Sequence, residues 1–323
     1  MNPVDQWRPS ASLEMLRRRA GLFRRCREFF HRRGVLEVDT PLLVNFPVTD
    51  VHVDNLEVCA TSRYPRGRRF LHTSPEYAMK RLLAAGSGPI FQICKVFRDD
   101  PEGPLHNREF TLLEWYRPGF DQWALMTEVE ALLGELGWTQ GVERRSYAQV
   151  FYDQWGVESA TATVRQLAGL AAQSQLNVTA AASLDRHQWL DLLFGAVLIP
   201  KLGWERPVFV TEFPPEQAAL AEIDPGPPPV ARRFELIING IEIGNGYQEL
   251  RDPEEHRVRF EADRRCRRQE GLPDREMDPF LLAAVHAGLP ACSGVAIGLD
   301  RLLLSMTGKT RLEEVLPFVE ARA

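Results

Sequence analysis

The sequence predicts a mixed fold in which antiparallel β-hairpins combine with amphipathic helices. Two β-rich runs, residues 90–98 and 109–117, are joined by a polar segment rich in glycine and proline, which predicts a hairpin with a long loop. A second hairpin is predicted around Asn239-Gly240, because this dipeptide between apolar runs favours a two-residue turn. Between the two hairpins the apolar residues recur at helical spacing, and we interpret this middle part as scaffold.

The remaining elements follow from periodicity and from turn-forming residues. An amphipathic helix is predicted over residues 12–33, with Gly34 at its C-terminal end, and an edge strand over 35–44, since Pro41 disfavours a central strand. Ser74 is typical of a helix N-cap, so a short strand at 69–72 leads into a helix that ends near residue 83. Further helices are predicted at 122–136, 162–173, 184–202, 254–269 and 280–287, a strand at 208–212, a loop at 224–229, and a strand-to-helix unit at 294–306.

Composition restricts the class of protein. The chain has 323 residues, of which 44% are apolar and 26% charged, so it can bury a core and does not resemble a disordered or fibrous protein. No apolar run approaches the roughly 20 residues of a membrane-spanning helix, and the N-terminus lacks a secretory signal, so we expect a cytoplasmic protein without membrane association. The net charge of -5 disfavours a large nucleic-acid surface, and the five scattered cysteines form no CxxC pair that would predict a disulfide framework or a zinc site.

A carboxylate and a phenol lie together on the predicted strand 109–117. Side chains alternate between the two faces of a strand, so Glu114 and Tyr116 share one face. Taken alone, this pair favours the plain interpretation that Glu114 faces solvent and Tyr116 packs.

The second hairpin brings two more carboxylates close together. With a two-residue turn, Glu235 lies opposite Gly244 and diagonal to Glu242, and two adjacent carboxylates repel each other. A magnesium ion that bridges substrate phosphates is the usual reason for such a pair, and the alternative is a solvated strand face. Strict alternation turns Glu242 away from Asn245 and Glu249, unless a bulge at 244–246 changes the register.

Three ordered segments resemble the motifs of class II aminoacyl-tRNA synthetases, in the lysyl branch. They are residues 34–41 with the preceding helix, residues 97–110, and residues 294–301. The strings Thr73-Ser-Pro-Glu76, Glu114-Trp-Tyr116 and residues 242–249 resemble the lysine pocket of that branch. The resemblance implies an α+β fold, an antiparallel sheet flanked by helices, and a homodimer formed through the first motif. It also implies one catalytic domain over 1–323 with a helical insertion at about 120–205, and no N-terminal OB-fold domain for anticodon recognition.

The resemblance assigns a role to each candidate residue. Arg98 and Arg301 are the catalytic residues that hold the ATP phosphates, and Glu235 and Glu242 hold Mg²⁺. The other nucleotide contacts are Asp100, His106, Asn107, Glu242, Ile243 and Gly298. The amino-acid substrate is bound by Ser74, Glu76, Glu114, Tyr116, Asn245, Glu249 and Ala296.

The activity that the resemblance implies is that of stand-alone paralogues of the lysyl branch. These use ATP and Mg²⁺ to activate (R)-β-lysine as an adenylate and transfer it to a lysine of elongation factor P. One alternative is a truncated synthetase-like enzyme that charges tRNA or another small acceptor. The other is a non-catalytic amino-acid-binding regulator, which has no need for Arg98, Glu235, Glu242 and Arg301.

Two positions depart from the family pattern. Asp100 stands where glutamate is usual, so the contact near adenine is one methylene shorter, or Glu102 replaces it. Ala296 stands where lysyl-tRNA synthetases usually carry glycine, and we hypothesise that its methyl group favours β-lysine over α-lysine.

Overall fold

A computed structural model of the chain describes residues 7–59, 67–178 and 184–323. The chain divides into two compact units, the first formed by Met1–Phe120 with Leu250–Ala323 and the second by Asp121–Glu249. Single-domain organisation with a helical insertion stays a prediction. Among the described residues, none of the helices has the length and apolar character to cross a membrane.

Helices and strands occur in both units. The helices are α1 (Leu13–Arg32), α2 (Glu76–Ala84), α3 (Gln122–Leu136), α4 (Tyr147–Trp155), α5 (Val164–Gln173), α6 (Arg186–Leu193), α7 (Pro253–Gln269), α8 (Pro279–Gly288) and α9 (Leu299–Thr307). The strands are β1 (Leu36–Glu37), β2 (Leu43–Val44), β3 (Glu57–Val58), β4 (Arg69–Leu71), β5 (Ile90–Phe97), β6 (Glu109–Pro118), β7 (Glu143–Ser146), β8 (Val208–Phe213), β9 (Ile223–Asp224), β10 (Val230–Ile238), β11 (Ile241–Gln248) and β12 (Cys292–Gly298).

The sheet of the first unit has the order β1-β5-β6-β12 and is antiparallel except where β1 runs parallel to β5. On one face, Phe30 of α1 stacks on Phe91 at a centroid distance of 4.7 Å and contacts Trp115 at 5.0 Å. Because side chains alternate along β6, Glu114 and Tyr116 lie on the other face, where Tyr116 packs in a cluster with α2. The long-loop hairpin is thus confirmed.

The prediction of one edge strand over residues 35–44 was wrong. The structure has two short strands there: β1 pairs with β5, whereas β2 pairs with β4 in a separate sheet of order β2-β4-β3. Pro41 lies between them and has no N–H to donate to a ladder, so the chain leaves one sheet and enters the other at this point.

The second unit contains a sheet of order β11-β10-β8-β7, with β9 beside β10 and β7 parallel to β8. Its core is rich in aromatic side chains, which include Tyr147, Phe151, Trp189, Phe194 and Phe213. Sequence analysis missed β7, since its polar Glu-Arg-Arg-Ser sequence has no apolar alternation, and also missed α4.

The predicted helix 184–202 is interrupted. After α6 the chain forms a π-helical turn, Phe194–Leu198, and a 3₁₀ turn, Ile199–Lys201, around Pro200, which cannot continue an α-helix. The Asn239-Gly240 turn of the second hairpin is confirmed, with φ of +52° and +73°. A Cβ at Gly240 would lie 3.0 Å from the Pro200 carbonyl oxygen, so both backbone conformation and space require glycine there.

Candidate active site

A row of side chains across three strands forms the floor of a candidate amino-acid pocket in the first unit. Glu114 of β6 pairs in register with Gln92 of β5 on one side and with Ala296 of β12 on the other. Glu114 is 2% exposed, so the plain interpretation that it faces solvent is wrong. A buried carboxylate beside a small residue is suited to binding a cationic group of limited size.

Two hydrogen-bonded pairs surround this carboxylate. The Tyr116 hydroxyl donates to Glu114 Oε1 at 2.7 Å, and Lys80 Nζ donates to Glu76 Oε1 at 2.7 Å. Ser74 Oγ accepts from the Glu76 backbone N–H at 2.9 Å, which fixes the start of α2. The structure therefore brings together five of the residues predicted to bind the amino acid: Ser74, Glu76, Glu114, Tyr116 and Ala296.

The charge state of Glu114 reflects this environment. Burial and the nearby negative charge of Glu76 raise its pKa to about 8, against the opposing influence of Tyr116, Lys80 and Ser74. An incoming ammonium group would stabilise the ionised carboxylate, because opposite charges in a buried site interact strongly.

Sequence analysis missed two members of this pocket. Lys80 is fully buried and lies four residues after Glu76 on α2, a spacing that places both side chains on one helix face. Gln92 could have been found from the predicted hairpin register, which sets it opposite Glu114. Its Oε1 accepts from the Thr40 hydroxyl at 3.0 Å.

A second group of candidate residues lies at the loop between β5 and β6, residues 98–108, which we call the nucleotide loop. At its start, Arg98 Nε donates to the Thr73 carbonyl at 3.4 Å, next to the pocket residue Ser74. At its far side, Arg301 of α9 donates from Nε to the Leu105 carbonyl at 3.3 Å, and its Nη2 lies 3.1 Å from His106 Nε2. Of the two predicted phosphate-binding arginines, Arg98 thus begins this loop, and Arg301 contacts it at Leu105 and His106.

Of the other predicted nucleotide contacts, Asp100, His106 and Asn107 lie on the loop and Gly298 lies next to α9, whereas Glu242 and Ile243 lie on β11 of the second unit. Asn107 donates from Nδ2 to the Glu109 carbonyl at 2.6 Å, while Asp100 is half-buried and Glu102 exposed. Gly298 is the N-cap of α9, directly before the turn that carries Arg301.

In the second unit, β10 and β11 carry a separate group of carboxylates. Arg233 Nη2 donates to Glu235 Oε1 at 2.5 Å, and Arg233 Nε donates to Asn245 Oδ1 at 3.1 Å. Burial and the charge of the adjacent Glu242 raise the pKa of Glu235 to about 8. Sequence analysis missed Arg233, although it lies two residues before Glu235 on the same strand face.

The predicted register of this hairpin needs a correction. Glu235 lies opposite Asn245 and not opposite Gly244, because a bulge follows the pair Ile237 and Glu242 and leaves Ile243 as the extra residue. The bulge therefore occurs earlier than the predicted 244–246. It brings Glu242 onto the face that carries Glu235 and Asn245, which resolves the conflict with strict alternation. Ile243 and Glu249 are both buried.

These carboxylates fit a divalent cation. Glu235 is 5% exposed, and its Oε2 has no hydrogen-bond partner among the described residues. Mg²⁺ prefers carboxylate oxygens, and a cation would offset the repulsion between Glu235 and Glu242.

Comparison with known proteins identifies the family. The model of the class II tRNA synthetases (D, K and N) matches residues 2–322, and the chain belongs to this family. Its curated relatives include proteins named elongation factor P–(R)-β-lysine ligase from three bacteria. The Histophilus somni (strain 2336) relative is 45% identical over 320 residues, 98% of each chain. The Klebsiella pneumoniae (strain 342) relative is 44% identical over an alignment of 325 positions that covers 100% of each chain. The Vibrio vulnificus (strain YJ016) relative is 45% identical over 314 residues, 97% of each chain.

These relatives confirm the predicted fold and the predicted enzyme class. The α+β class II fold, with mostly antiparallel sheets flanked by helices, is the fold of the matched family. The relatives are named as ligases, and this disfavours the alternative that the chain is a non-catalytic regulator.

Proposed function

We propose that this protein is an ATP-dependent ligase that activates (R)-β-lysine as an adenylate and transfers it to a lysine side chain of elongation factor P. The observation that carries the proposal is the buried pocket around Glu114, in which Glu76 and Tyr116 provide further oxygen atoms for an ammonium group. The printed names of the relatives supply the amino acid and the acceptor.

In this proposal the pocket selects a diamino acid by charge. Glu76 accepts one amine of the substrate, and Glu114 and Tyr116 bind the terminal ammonium. Glu249 and Asn245, which belong to the second unit, stay predicted substrate contacts. An apolar analogue would leave buried carboxylates without a cation, which costs far more than the loss of one apolar contact. Lys80 already pairs with Glu76, so the resident charge of the pocket is partly neutralised before substrate binds.

The first chemical step forms the adenylate. A carboxylate oxygen of the amino acid attacks the α-phosphorus of ATP, the bond between the α- and β-phosphates breaks, and pyrophosphate leaves. Arg98 and Arg301 hold the phosphates and offset the negative charge that develops on the phosphate oxygens. Asp100, His106, Asn107 and Gly298 line the nucleotide site, and Ile243 of the second unit stays a predicted nucleotide contact. Mg²⁺, when bound by Glu235 and Glu242, supplies further positive charge at the phosphates.

The second step forms an amide. The neutral ε-amine of the acceptor lysine attacks the carbonyl carbon of the adenylate, AMP leaves with the electron pair of the broken bond, and the amine releases a proton to solvent. We also propose that the enzyme acts as a homodimer through the region of α1 and β1, where Leu13 and Leu36 are exposed. Analytical ultracentrifugation tests the oligomeric state.

The deciding experiment measures the intact mass of elongation factor P after incubation with the enzyme, ATP, Mg²⁺ and either (R)-β-lysine or α-lysine. We expect a mass gain of one lysyl group on the protein, with (R)-β-lysine preferred, and no acylated tRNA in a parallel assay. Charged tRNA together with unmodified elongation factor P would contradict the proposal and favour a tRNA-charging enzyme.

A further inference from the structure

The C-terminal segment of the chain lies on the nucleotide loop. The segment is docked near the N-terminal part of the first unit, where Ser10 N–H donates to the Pro317 carbonyl at 2.7 Å and Ala11 N–H to the Leu316 carbonyl at 3.1 Å. It ends in a 3₁₀ turn, Glu320–Arg322. We call residues 319–322 the C-terminal clasp.

The clasp holds the end of the nucleotide loop by two separate bonds from one residue. The backbone N–H of Glu320 donates to Asn107 Oδ1 at 3.1 Å, and Glu320 Oε1 accepts from Arg108 Nη1 at 2.8 Å. A third bond lies nearby, since Leu312 N–H donates to the Pro104 carbonyl at 2.8 Å.

Arg108, which is bonded to Glu320, also contacts the beginning of the loop. The Arg108 guanidinium also pairs with Asp99 Oδ1 at 3.1 Å, and the Arg108 carbonyl accepts from the Arg98 N–H at 3.0 Å. Arg108 therefore ties the first residues of the loop to its last ones, and Glu320 orients Arg108.

Glu320 also determines how Asn107 is held. The carboxamide oxygen of Asn107 accepts from Glu320 N–H, while its nitrogen donates to the Glu109 carbonyl. Both ends of this side chain are thus bonded within the protein, and its orientation depends on the clasp.

We infer that Glu320 is a positioning residue that preorders the nucleotide loop for ATP by fixing Asn107 and Arg108. The inference rests on the proposed ATP site and extends it to a segment outside the three family motifs. A loop that is ordered before the ligand arrives loses less conformational entropy on binding, so affinity for the ligand is higher. Glu320 acts on the loop and not on the amino-acid pocket, so its loss should affect ATP alone.

Two substitutions at one position separate the two bonds. Glu320→Ala removes the carboxylate and keeps the backbone N–H that donates to Asn107 Oδ1. Glu320→Pro removes both groups, and proline suits this position because Glu320 opens the turn and the preceding Val319 is extended, with φ of -86° and ψ of 163°. Glu313→Ala is the control, since Glu313 also forms an ion pair with an arginine, Arg311, at 2.8 Å in the same part of the chain and has no bond to the loop among the described contacts.

The readouts are the KM values for ATP and for lysine in pyrophosphate exchange, the Tm, and hydrogen exchange of the loop amides. We expect the KM for ATP to rise about threefold in Glu320→Ala and about tenfold in Glu320→Pro, with the KM for lysine and the Tm unchanged. The loop amides of residues 99–108 should exchange faster without ATP in Glu320→Pro and not in Glu313→Ala.

Equal increases in both KM values together with a lower Tm would overturn the inference, because they indicate a general structural role. Unchanged loop exchange in Glu320→Pro would also overturn it, whether or not the enzyme exchanges pyrophosphate. A wild-type protein that shows no exchange with any diamino acid would instead contradict the proposed function, while the hydrogen-exchange result still decides the role of the clasp.

Discussion

Two pairs of carboxylates, one in each unit, each place a buried carboxyl near a half-buried one, and the pairs differ in what surrounds them. Glu114 lies near Glu76 in the first unit, and Glu235 lies near Glu242 in the second. In both pairs burial and a neighbouring negative charge raise the pKa of one carboxyl to about 8. Each pair also has one resident cation, Lys80 or Arg233.

The difference lies in the groups that contact the buried carboxyl. Glu114 accepts from the Tyr116 hydroxyl, and Ser74 opposes the rise of its pKa, so its surroundings are rich in hydroxyl groups that can reorient toward a new donor. Glu235 receives the Arg233 guanidinium on Oε1 and shares its strand face with Glu242. In the part of the chain that the structure describes, Oε2 of Glu114 and Oε2 of Glu235 both lack a hydrogen-bond partner. The hydroxyl-rich surroundings suit an ammonium, which donates several hydrogen bonds, and two carboxylates on one strand face suit a metal ion.

Loss of the proposed metal ligand should have the largest effect. In Glu235→Gln we expect the rate of adenylate formation to fall about 10²–10³-fold, since the charge that stabilises the phosphates is weakened. The rate should recover in part at high Mg²⁺, and pyrophosphate exchange across a magnesium titration measures both effects.

The Tm of Glu235→Gln tests whether the fold depends on the ion pair between Arg233 and Glu235. Arg233 keeps hydrogen bonds to the Gln217 carbonyl at 2.7 Å and to Asn245, so it is not left without acceptors. We therefore expect a Tm close to that of the wild type. An unchanged dependence on magnesium would show that Glu235 does not hold the ion.

Loss of charge in the first pair should affect the amino acid and not ATP. Glu114→Gln keeps the shape of the side chain, and we expect it to lower kcat/KM for lysine by roughly 10²-fold, about 3 kcal/mol, which is typical of a buried charge pair that loses one partner. The KM for ATP should not change. Pyrophosphate exchange with each substrate varied in turn measures both values.

Glu109→Gln is the control for this prediction. Glu109 lies on the same strand, is exposed, and pairs with Lys95 at 2.9 Å. It should leave both KM values unchanged, because exposed ion pairs contribute little. If Glu114→Gln raised the KM for ATP as much as that for lysine, the hypothesis that one carboxylate pair binds the amino acid and the other binds the metal ion would be wrong.

The raised pKa of Glu114 predicts that lysine binding depends on pH. A carboxyl with a pKa of about 8 is ionised in roughly a tenth of the molecules at pH 7 and in about three quarters at pH 8.5, so lysine affinity should rise about eightfold over this range. Binding at pH 7 should also release a proton. Calorimetry in two buffers of different ionisation enthalpy measures that proton, and Glu114→Gln should release none.

The same group predicts how stability changes with pH in the absence of substrate. Its pKa lies near the ordinary value of 4.5 in the unfolded chain and at about 8 in the folded protein. Between these values the folded protein holds a proton that the unfolded chain has released, so the free energy of unfolding should fall as the pH rises from about 5 to about 8. The fall should be smaller in Glu114→Gln when Tm is measured across this range.

The first pocket was more predictable from the sequence than the second group of carboxylates, and strand geometry explains why. Along β6 the alternation is unbroken, so the shared face of Glu114 and Tyr116 follows directly from their spacing. In the second hairpin a single extra residue, Ile243, changes the face of every residue after it. Hydrophobic pattern cannot locate such a bulge, because the surrounding residues are glycine, asparagine and isoleucine.

Contacts between distant parts of the chain were not predictable. The pairing of Lys80 with Glu76 could be inferred from helical spacing, but the bonds from Glu320 to Asn107 and Arg108 join residues more than two hundred positions apart. No local periodicity contains this information. The prediction of one strand over residues 35–44 was wrong for a similar reason. The segment forms two strands, and their partners, β5 and β4, lie in two different sheets.

The smaller of the two effects expected from substitutions in the first pocket concerns substrate choice. Ala296 lies directly opposite Glu114, so its methyl group limits the space beside the carboxylate. We expect Ala296→Gly to shift the ratio of β-lysine to α-lysine activation about tenfold toward α-lysine, because one methyl group in a pocket contributes about that much discrimination. Parallel pyrophosphate exchange with both amino acids measures the ratio.

The control must separate space from backbone flexibility, since glycine in a strand also loosens the backbone. Ala291→Gly provides it: Ala291 is exposed, stands directly before β12, and does not lie beside Glu114. We expect this variant to leave the substrate ratio unchanged. If both substitutions shifted the ratio equally, flexibility of the strand and not the Ala296 methyl group would determine substrate choice. An unchanged ratio in Ala296→Gly would show that discrimination between the two lysines arises from other pocket residues.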